Sequence, residues 1–280
     1  MKNLSEKLMI VNLSISQWSG RKHDKEISRQ IEKEHNTTNA GRYNKILINE
    51  DELKDCQSIA SGARAYLYTQ TLPWGDNGDR VLPATNYLKF VEEFRPFKEK
   101  FEVAYQGFLQ KYLKVKEDAR IRLNGMFKEG DYPTTAALRQ KFKLAITIMP
   151  ISEPTDFRVQ LDQEEVANLR CQIQNEINDR IESTTRDIWE RIKKVVDHMA
   201  DKLSSQDAIF RDSLVNNIRE LIDVIPRLNF TQNEDINEVL RQMKTLAVDP
   251  DTLRTNSGFR NEKAEEAKAL SDKINAYFEM

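Results

Sequence analysis

Eight aromatic residues recur at intervals of three or four along one stretch of the chain, and this spacing constrains the fold more than any other feature. They are Tyr87, Phe90, Phe94, Phe97, Phe101, Tyr105, Phe108 and Tyr112. On an α-helix this spacing places all eight side chains on one face. A platform for stacking bases would need the face exposed, whereas a continuous seam on a long helix is typical of a core. The pattern therefore predicts a buried seam on a helix spanning about residues 85–127.

A second long segment carries an aliphatic seam with the same helical spacing. Its members are Val166, Leu169, Ile173, Ile177, Ile181, Ile188, Ile192, Val195, Met199 and Leu203. Asp162, with Glu165 three residues later, resembles a capping box and indicates where the helix begins. We expect a helix over about residues 162–204, paired with the aromatic helix as a long antiparallel hairpin.

Short apolar runs indicate a small sheet. Residues 8–16 end in strict alternation, with Val11, Leu13 and Ile15 on one face, which predicts a strand. Residues 45–48 form a second short run. Residues 142–151 and 157–161 also alternate and are separated by a proline-containing turn, which predicts a β-hairpin. The fold class expected is α+β and mainly helical, with a small antiparallel sheet, the long antiparallel helical hairpin and additional C-terminal helices.

Further helices are expected over about residues 22–35, 51–68, 208–225, 235–246 and 262–278. Pro226 should end the third of these, because proline lacks a backbone donor. The turn-rich segment 249–258 is the best candidate boundary in the chain. We therefore expect one α+β domain over residues 1–248, followed by a linker and a charged C-terminal helix over residues 249–280.

Charge is nearly balanced overall but unevenly distributed. The net charge of the 280 residues is −2. Residues 1–143 hold 25 Lys and Arg against 19 Asp and Glu, a net +6, while residues 144–280 hold 18 against 26, a net −8. The first half is the better candidate for contact with an anionic partner, although mixed charges on helical surfaces are commonly just solvated.

The sequence predicts a cytoplasmic protein. Cys56 and Cys171 are too few and too far apart for a disulfide framework, which suggests a reducing compartment. Asn12 and Ser14 interrupt the opening apolar run, and no cleavage site follows, so a signal peptide is not expected. No stretch approaches the ~20 apolar residues that span a bilayer.

No motif of a known catalytic site stands out. The three histidines are His23, His35 and His198, and they do not have the clustering that metal ligation requires. His23 beside Asp24 could act as a general base, but a surface histidine is the simpler interpretation. Asp76, Asn77 and Asp79 could offer oxygens to a divalent cation, yet their spacing fits a turn better than a calcium loop. We expect no cofactor and no metal, and we favour a non-enzymatic role.

Two segments combine a glycine, cations and an aromatic residue. The candidate contact residues in them are Trp18, Arg21, Lys22, Lys25, Arg42, Tyr43 and Lys45. Single-stranded nucleic acid is bound by aromatic rings that stack on bases and by cations that attract the backbone. Those cations that lie near a helix N-terminus could also meet a phosphate there. The alternative interpretation is that Trp18 fills the core and the cations are ordinary solvated side chains.

Six motifs resemble an uncharacterised family of tailed phages and prophages. They are residues 12–24 (NLSISQWSGRKHD), 40–45 (AGRYNK), 72–78 (LPWGDNG), 131–133 (DYP), 156–159 (DFRV) and 210–215 (FRDSLV). Together they extend over most of residues 8–230. Members of this family often lie near genes for AAA+ ATPases of the MoxR type and for von Willebrand factor A proteins. The resemblance implies a possible partner of that kind, and it implies no catalytic residues.

Two functions remain from these observations. The first is a non-enzymatic phage or prophage protein that binds single-stranded DNA or RNA through the seven residues above. It is expected to be a homo-oligomer in the cytoplasm of the host cell and to have no membrane partner. The alternative is an adaptor or structural subunit that acts with a MoxR-type AAA+ ATPase, with the long helices as the protein-binding face. The positive charge of residues 1–143 favours the first, while the helical seams favour neither.

Overall fold

The architecture comes from a computed structural model that describes residues 4–75, 78–156, 162–205 and 209–278. Contacts between Cα atoms divide the chain into two compact units. Unit 1 comprises Met1–Asn12, Tyr68–Phe90 and Ile148–Met280, and unit 2 comprises Leu13–Leu67 and Val91–Thr147.

Helices dominate the described residues. They are α1 (Leu4–Lys7), α2 (Lys25–Glu34), α3 (Lys54–Gln70), α4 (Tyr87–Leu123), α5 (Thr135–Arg139), α6 (Gln163–Ser204), α7 (Ser213–Leu228), α8 (Glu234–Leu246), α9 (Pro250–Thr255) and α10 (Ser257–Phe278). The short 3-10 turns Glu50–Leu53, Ala84–Asn86, Asn124–Met126, Glu129–Asp131 and Pro154–Asp156 lie between some of them.

The strands form two antiparallel groups. They are β1 (Leu8–Ser16), β2 (Arg21–His23), β3 (Asn44–Ile46), β4 (Leu72–Pro73), β5 (Arg80–Pro83) and β6 (Lys143–Pro150). One sheet has the order β4-β5-β1-β6, with Leu8 opposite Pro83 and Leu72 opposite Val81. The other pairs β2 with β3. The predicted α+β class, mainly helical with a small antiparallel sheet, is confirmed.

In unit 1 the aliphatic seam of α6 forms the centre of the core. Ile188, Ile192, Met199 and Leu203 are buried, and α6 packs on α7 and α10. The helix begins directly after Asp162, as predicted, but the Asp162 side chain makes no capping hydrogen bond. Burial of such side chains stabilises the unit by about 1.5–3 kcal/mol each.

In unit 2 the aromatic seam of α4 is buried, as its spacing predicts. Phe94, Phe101, Phe108 and Tyr112 are each at most 4% exposed. Phe101, Phe108 and Tyr112 pack among Trp18, Leu47, Leu138, Phe142 and other apolar side chains of the same unit. The ring of Phe94 lies beside those of Tyr66 and Phe97. Stacking of bases on this face is therefore excluded, because its rings already contact one another and the core.

The packing partners of the long helices differ from the sequence expectation. Residues 91–123 of α4 belong to unit 2, whereas α6 belongs to unit 1 and packs on α7 and α10. The contacts do not separate residues 249–280 from the rest. Instead α10 belongs to unit 1, because Ala267, Leu270 and Ile274 are buried in its core.

Two local expectations also changed, and a third is not tested. Helix α7 continues through Pro226 to Leu228, since burial of Val224, Ile225 and Leu228 offsets one missing hydrogen bond. The expected turn-rich linker contains α9 and the start of α10. The second strand of the predicted hairpin, residues 157–161, lies outside the described residues.

Candidate nucleic-acid interface

The two glycine-arginine segments form an antiparallel pair of strands in unit 2, with α2 between them in the chain. Strands β2 and β3 place Lys22 opposite Lys45 and His23 opposite Asn44. Beyond the ladder the backbone N–H of Asp24 donates to the carbonyl of Tyr43 across 2.9 Å. In the chain, Lys25 directly follows Asp24 and Arg42 directly precedes Tyr43. The structure brings both segments together, although the sequence separates them.

Lys45 lies on this strand pair but is not at the protein surface, because its side chain is only 2% exposed. Its Nζ lies 2.6 Å from Asp131 Oδ2 and 3.2 Å from Asp24 Oδ2, and it donates to the carbonyl of Met126 across 3.1 Å. These three acceptors match the three N–H donors of an ammonium group. Lys45 therefore holds the structure together and is unavailable to a ligand.

Lys22 completes this ion cluster. Its Nζ lies 2.7 Å from Asp131 Oδ1, so Asp131 accepts from two lysines. The Asp24 carboxylate accepts from the backbone N–H groups of Glu26 and Ile27 at the start of α2. The four side chains, two lysines and two aspartates, carry no net charge. The cluster joins β2, β3, the start of α2 and the turn at residues 129–131.

The pKa values in the cluster shift in the directions that favour charge. Burial opposes protonation of Lys45, yet hydrogen bonds to Asp131 and Asp24 outweigh it and raise the pKa of Lys45. Burial would raise the pKa of Asp131, but Lys22 and Lys45 lower it. The Ile27 amide does most to lower the pKa of Asp24, and Lys45 contributes too. A general acid or base needs a pKa near working pH, so the cluster is structural.

Trp18 is likewise part of the core. Its side chain is 7% exposed, and its ring centroid lies 6.1 Å from that of Phe108 and 5.9 Å from that of Tyr112, edge-on to the latter. The ring already makes the aromatic contacts that a base would need. Trp18 and Lys45 are therefore excluded from the predicted contact set.

The other five predicted residues are exposed, and they differ in how they are paired. Arg21 forms an ion pair with Glu50, and Lys22 is paired with Asp131. Lys25 and Arg42 form no ion pair within the part of the chain that the structure describes. Tyr43 is 37% exposed. The surface formed by Lys25, Arg42 and Tyr43, with Arg21 and Lys22 beside it, is called the hairpin surface below.

The start of α2 does not offer free amides to a phosphate. Asp24 occupies the N-cap position and takes the N–H groups of Glu26 and Ile27. An anion at the hairpin surface would therefore be held by side chains. His23 does not act with Asp24, since its Nε2 lies 3.2 Å from Ser28 Oγ and Asp24 is engaged elsewhere.

Unit 2 carries an excess of positive charge. All of its residues are described, and they include 21 Lys and Arg against 16 Asp and Glu, a net +5. The excess adds a field that attracts anions toward the whole unit, beyond the side chains that touch them.

Sequence reasoning missed Asp131, because nothing local marks a loop carboxylate as the partner of a lysine far along the chain. Asp24 could have been found, since an aspartate directly before a helix is a common N-cap. Lys128, which pairs with Glu26, adds another cation to the same part of unit 2 and was also missed.

Potential metal ligands do not cluster in the described ranges. Among residues 4–75, 78–156, 162–205 and 209–278, no group of three His, Cys, Asp or Glu side chains is placed to hold an ion. Asp76 and Asn77 lie outside these ranges, while Asp79 Oδ1 accepts from Asn12 Nδ2 across 3.1 Å. Within the same ranges, no helix combines the length and hydrophobicity needed to cross a bilayer.

Fold and site together define a mainly helical α+β protein with a basic, mostly ion-paired hairpin in unit 2. Residues 5–246 match the family described as "Protein of unknown function (DUF3150)", and the chain belongs to that family. No curated protein and no solved structure matches the chain.

Proposed function

We propose that this protein binds single-stranded nucleic acid through the hairpin surface and has no catalytic role. The observation that carries the proposal is that Lys25, Arg42 and Tyr43 are exposed on two segments that are hydrogen-bonded to each other. A backbone hydrogen bond from Asp24 to Tyr43 and a second from the Tyr43 N–H to Ser28 Oγ, 3.0 Å long, fix the two segments side by side. Two cations without an ion-pair partner among the described residues, next to an exposed ring, suit a phosphate and its neighbouring base.

The ion pairs of Arg21 and Lys22 determine how readily each of these cations can bind a phosphate. Arg21 is half exposed and paired with an equally exposed glutamate, so a phosphate can replace that partner at little cost. Lys22 pairs with the buried Asp131, so it stays with its carboxylate. We therefore assign direct contact to Lys25, Arg42 and Tyr43, with Arg21 as an additional contact.

Fluorescence anisotropy with a labelled single-stranded oligonucleotide, at several salt concentrations, tests the proposal. The double variant Lys25→Glu with Arg42→Glu should bind more weakly, and the slope of log affinity against log salt should become shallower by about 0.7 for each phosphate that the variant no longer neutralises. The matched control is Lys98→Glu with Lys100→Glu, because both lysines are exposed on α4 of the same unit and the charge change is identical.

Three results would decide against this function. The wild-type protein could fail to bind at low salt, or the control pair could lose as much affinity as the test pair. The third is a Tyr43→Ala variant that binds as tightly as wild type, because the proposed mode of binding requires a base to stack on that ring. Circular dichroism of each variant separates loss of binding from loss of fold.

A protein partner is the second candidate, and exposed aliphatic side chains on α4 favour it. Val103, Leu113 and Ile121 are 72%, 73% and 75% exposed. At 3.6 residues per turn, Val103 and Ile121 lie about five turns apart on one line opposite the aromatic seam, whereas Leu113 lies about 80° away from that line, on the flank of the helix. Such residues suit an adaptor or structural subunit, and the sequence resemblance suggests a tailed-phage or prophage protein acting with a MoxR-type AAA+ ATPase.

Purification from the host cell distinguishes the two candidates. Absorbance at two wavelengths before and after a high-salt wash reports bound nucleic acid, and light scattering reports the mass of the assembly. Nucleic acid that is released by salt supports the first function, and a mass that is a multiple of the chain mass supports its expected homo-oligomer. A nucleic-acid-free protein that co-purifies with an ATPase, and loses it on Leu113→Glu, supports the second.

A further inference from the structure

A groove in unit 1 combines apolar walls with an excess of positive charge. Its volume is about 390 Å³, within the range of small-molecule sites. The last turn of α3, one face of α6 and one face of α7 form its walls. The side chains that matter for the argument are Tyr68, Arg191, Lys194, Val195, Glu220 and Leu221.

Arg191, which lines the groove, and Arg80 donate to the same backbone carbonyl. Arg191 donates from Nη2 to the carbonyl of Thr71 across 2.8 Å, and Arg80 donates from Nη2 to the same oxygen across 2.9 Å. The guanidinium of Arg80 also lies 4.6 Å from the centroid of the Tyr68 ring, which is half exposed. Two positively charged groups thus share one carbonyl, and one of them, Arg80, also lies over the Tyr68 ring.

Only one carboxylate pairs with these arginines in the described part of the chain. Asp187 Oδ2 lies 2.7 Å from Arg191 Nε. Burial, and then repulsion by Arg191, lowers the pKa of Arg80, and burial lowers the pKa of Arg191. Both directions reflect guanidinium groups that are largely removed from water.

Donors remain for a ligand at the groove. Arg191 uses its Nε for Asp187, and one N–H of each terminal nitrogen for the carbonyls of Thr69 and Thr71, which leaves two of its five N–H groups. Lys194 is exposed and forms no ion pair with any residue that the structure describes. Beside these donors lie the apolar side chains of Val195 and Leu221.

We propose that this groove binds a small organic monoanion, a carboxylate that carries an apolar tail. The carboxylate accepts from Lys194 and from the free N–H groups of Arg191, while the tail lies on Val195, Leu221 and the Tyr68 ring. Charge-assisted hydrogen bonds of this kind are the strong ones, and the fork of arginine suits a carboxylate.

Charge at the groove selects a monoanion over a dianion. Arg80, Arg191 and Lys194 supply three positive charges, whereas Asp187 and Glu220 supply two negative ones. One carboxylate balances the single positive charge that remains. A phosphate dianion would leave the groove with a net negative charge. The apolar walls likewise disfavour a ligand without a tail.

Calorimetric titration of the full chain with hexanoate, hexanamide and inorganic phosphate tests the inference. Hexanoate should bind saturably, and hexanamide and phosphate at least about tenfold more weakly, since loss of one charge-assisted hydrogen bond is worth about that factor. Lys194→Glu should weaken hexanoate binding by at least about tenfold. Lys202→Glu is the matched control, because Lys202 is exposed on the same helix and does not line the groove.

Several outcomes would overturn the inference. They are no saturable binding of hexanoate to the wild type, equal affinity for hexanoate and hexanamide, and an equal loss in the Lys194→Glu and Lys202→Glu variants. Lys194→Gln removes the charge without reversing it and replaces Lys194→Glu if that variant is misfolded by circular dichroism. The groove lies in unit 1 and the hairpin surface in unit 2, so failure of one proposal leaves the other standing.

Discussion

The ammonium group of Lys45 lies 2.6 Å from the Oδ2 of Asp131, and both side chains are less than 10% exposed. The pair is buried together with Asp24 and the carbonyl of Met126. A buried ion pair contributes little net stability, because desolvation opposes attraction, but removal of one partner leaves a buried charge uncompensated. Lys45 is thus a structural residue in a segment that the sequence marked as a binding segment.

Lys45→Met should destabilise unit 2 by about 3 kcal/mol, the lower end of the range for a broken buried pair, because Lys22 still compensates Asp131. Urea denaturation followed by circular dichroism measures the change. The control is Lys25→Met, an exposed lysine of the same unit, which should change stability by less than about 0.5 kcal/mol. Equal effects of the two substitutions would show that Lys45 is not buried.

Acid should weaken unit 2 through Asp131. Its pKa in the folded protein is below the ordinary value of 3.8, because Lys22 and Lys45 outweigh the effect of burial. A depressed carboxyl pKa contributes stability that is complete above the ordinary value and is lost as pH falls through the folded value. Unfolding free energy, measured by urea titration from neutral pH down through 3.8, should decrease.

The Asp131→Asn variant isolates this contribution. It lacks the titrating carboxyl, so its unfolding free energy should fall less steeply with decreasing pH than that of the wild type. A variant that follows the wild-type curve in this range would place the acid sensitivity in other carboxylates.

Phe101→Ala should destabilise unit 2 by about 3–5 kcal/mol, the usual cost of truncating a buried phenylalanine. Phe101 is 2% exposed and its ring contacts those of Tyr105 and Phe142. Val103→Ala is the control, since Val103 is two residues away on the same helix and 72% exposed. It should change the melting temperature little, and a comparable drop in both variants would contradict the buried seam.

Gly20→Ala should destabilise unit 2 by about 1–3 kcal/mol. Gly20 has φ +63°, and an added Cβ would lie 2.8 Å from Ile48 Cγ1. Gly41→Ala is the control, because no atom lies within 4 Å of its Cβ position and its φ is not positive. That variant should be neutral or slightly stabilised. Thermal denaturation of both proteins measures the difference, and equal melting temperatures would refute the steric argument.

Local pattern predicted most of the secondary structure. Strand β1 spans the expected residues, and α4, α6 and α8 lie within a few residues of their predicted bounds. These elements could be predicted because periodicity and capping are properties of neighbouring residues. The end of α7 was predicted wrongly. The helix continues past Pro226, because burial of its apolar face stabilises it, and that burial cannot be predicted from the local pattern.

The candidate site was predicted only in part. The sequence identified the two segments that form the hairpin surface, and Lys25, Arg42 and Tyr43 are exposed there. It could not separate them from Lys45 and Trp18, because both groups consist of cations and aromatic rings, and their burial depends on residues far away in the chain.

By itself, the sequence determined which segments become helices and strands and which helix faces are apolar, because these depend on the spacing of residues a few positions apart. The tertiary structure alone decided which elements pack together, placing residues 91–123 of α4 in unit 2 and α6 in unit 1. It also decided that Lys45 is buried while Arg42 is exposed. The physical reason is that burial of a charge depends on a partner such as Asp131, which lies far away in the chain and is brought near only by folding.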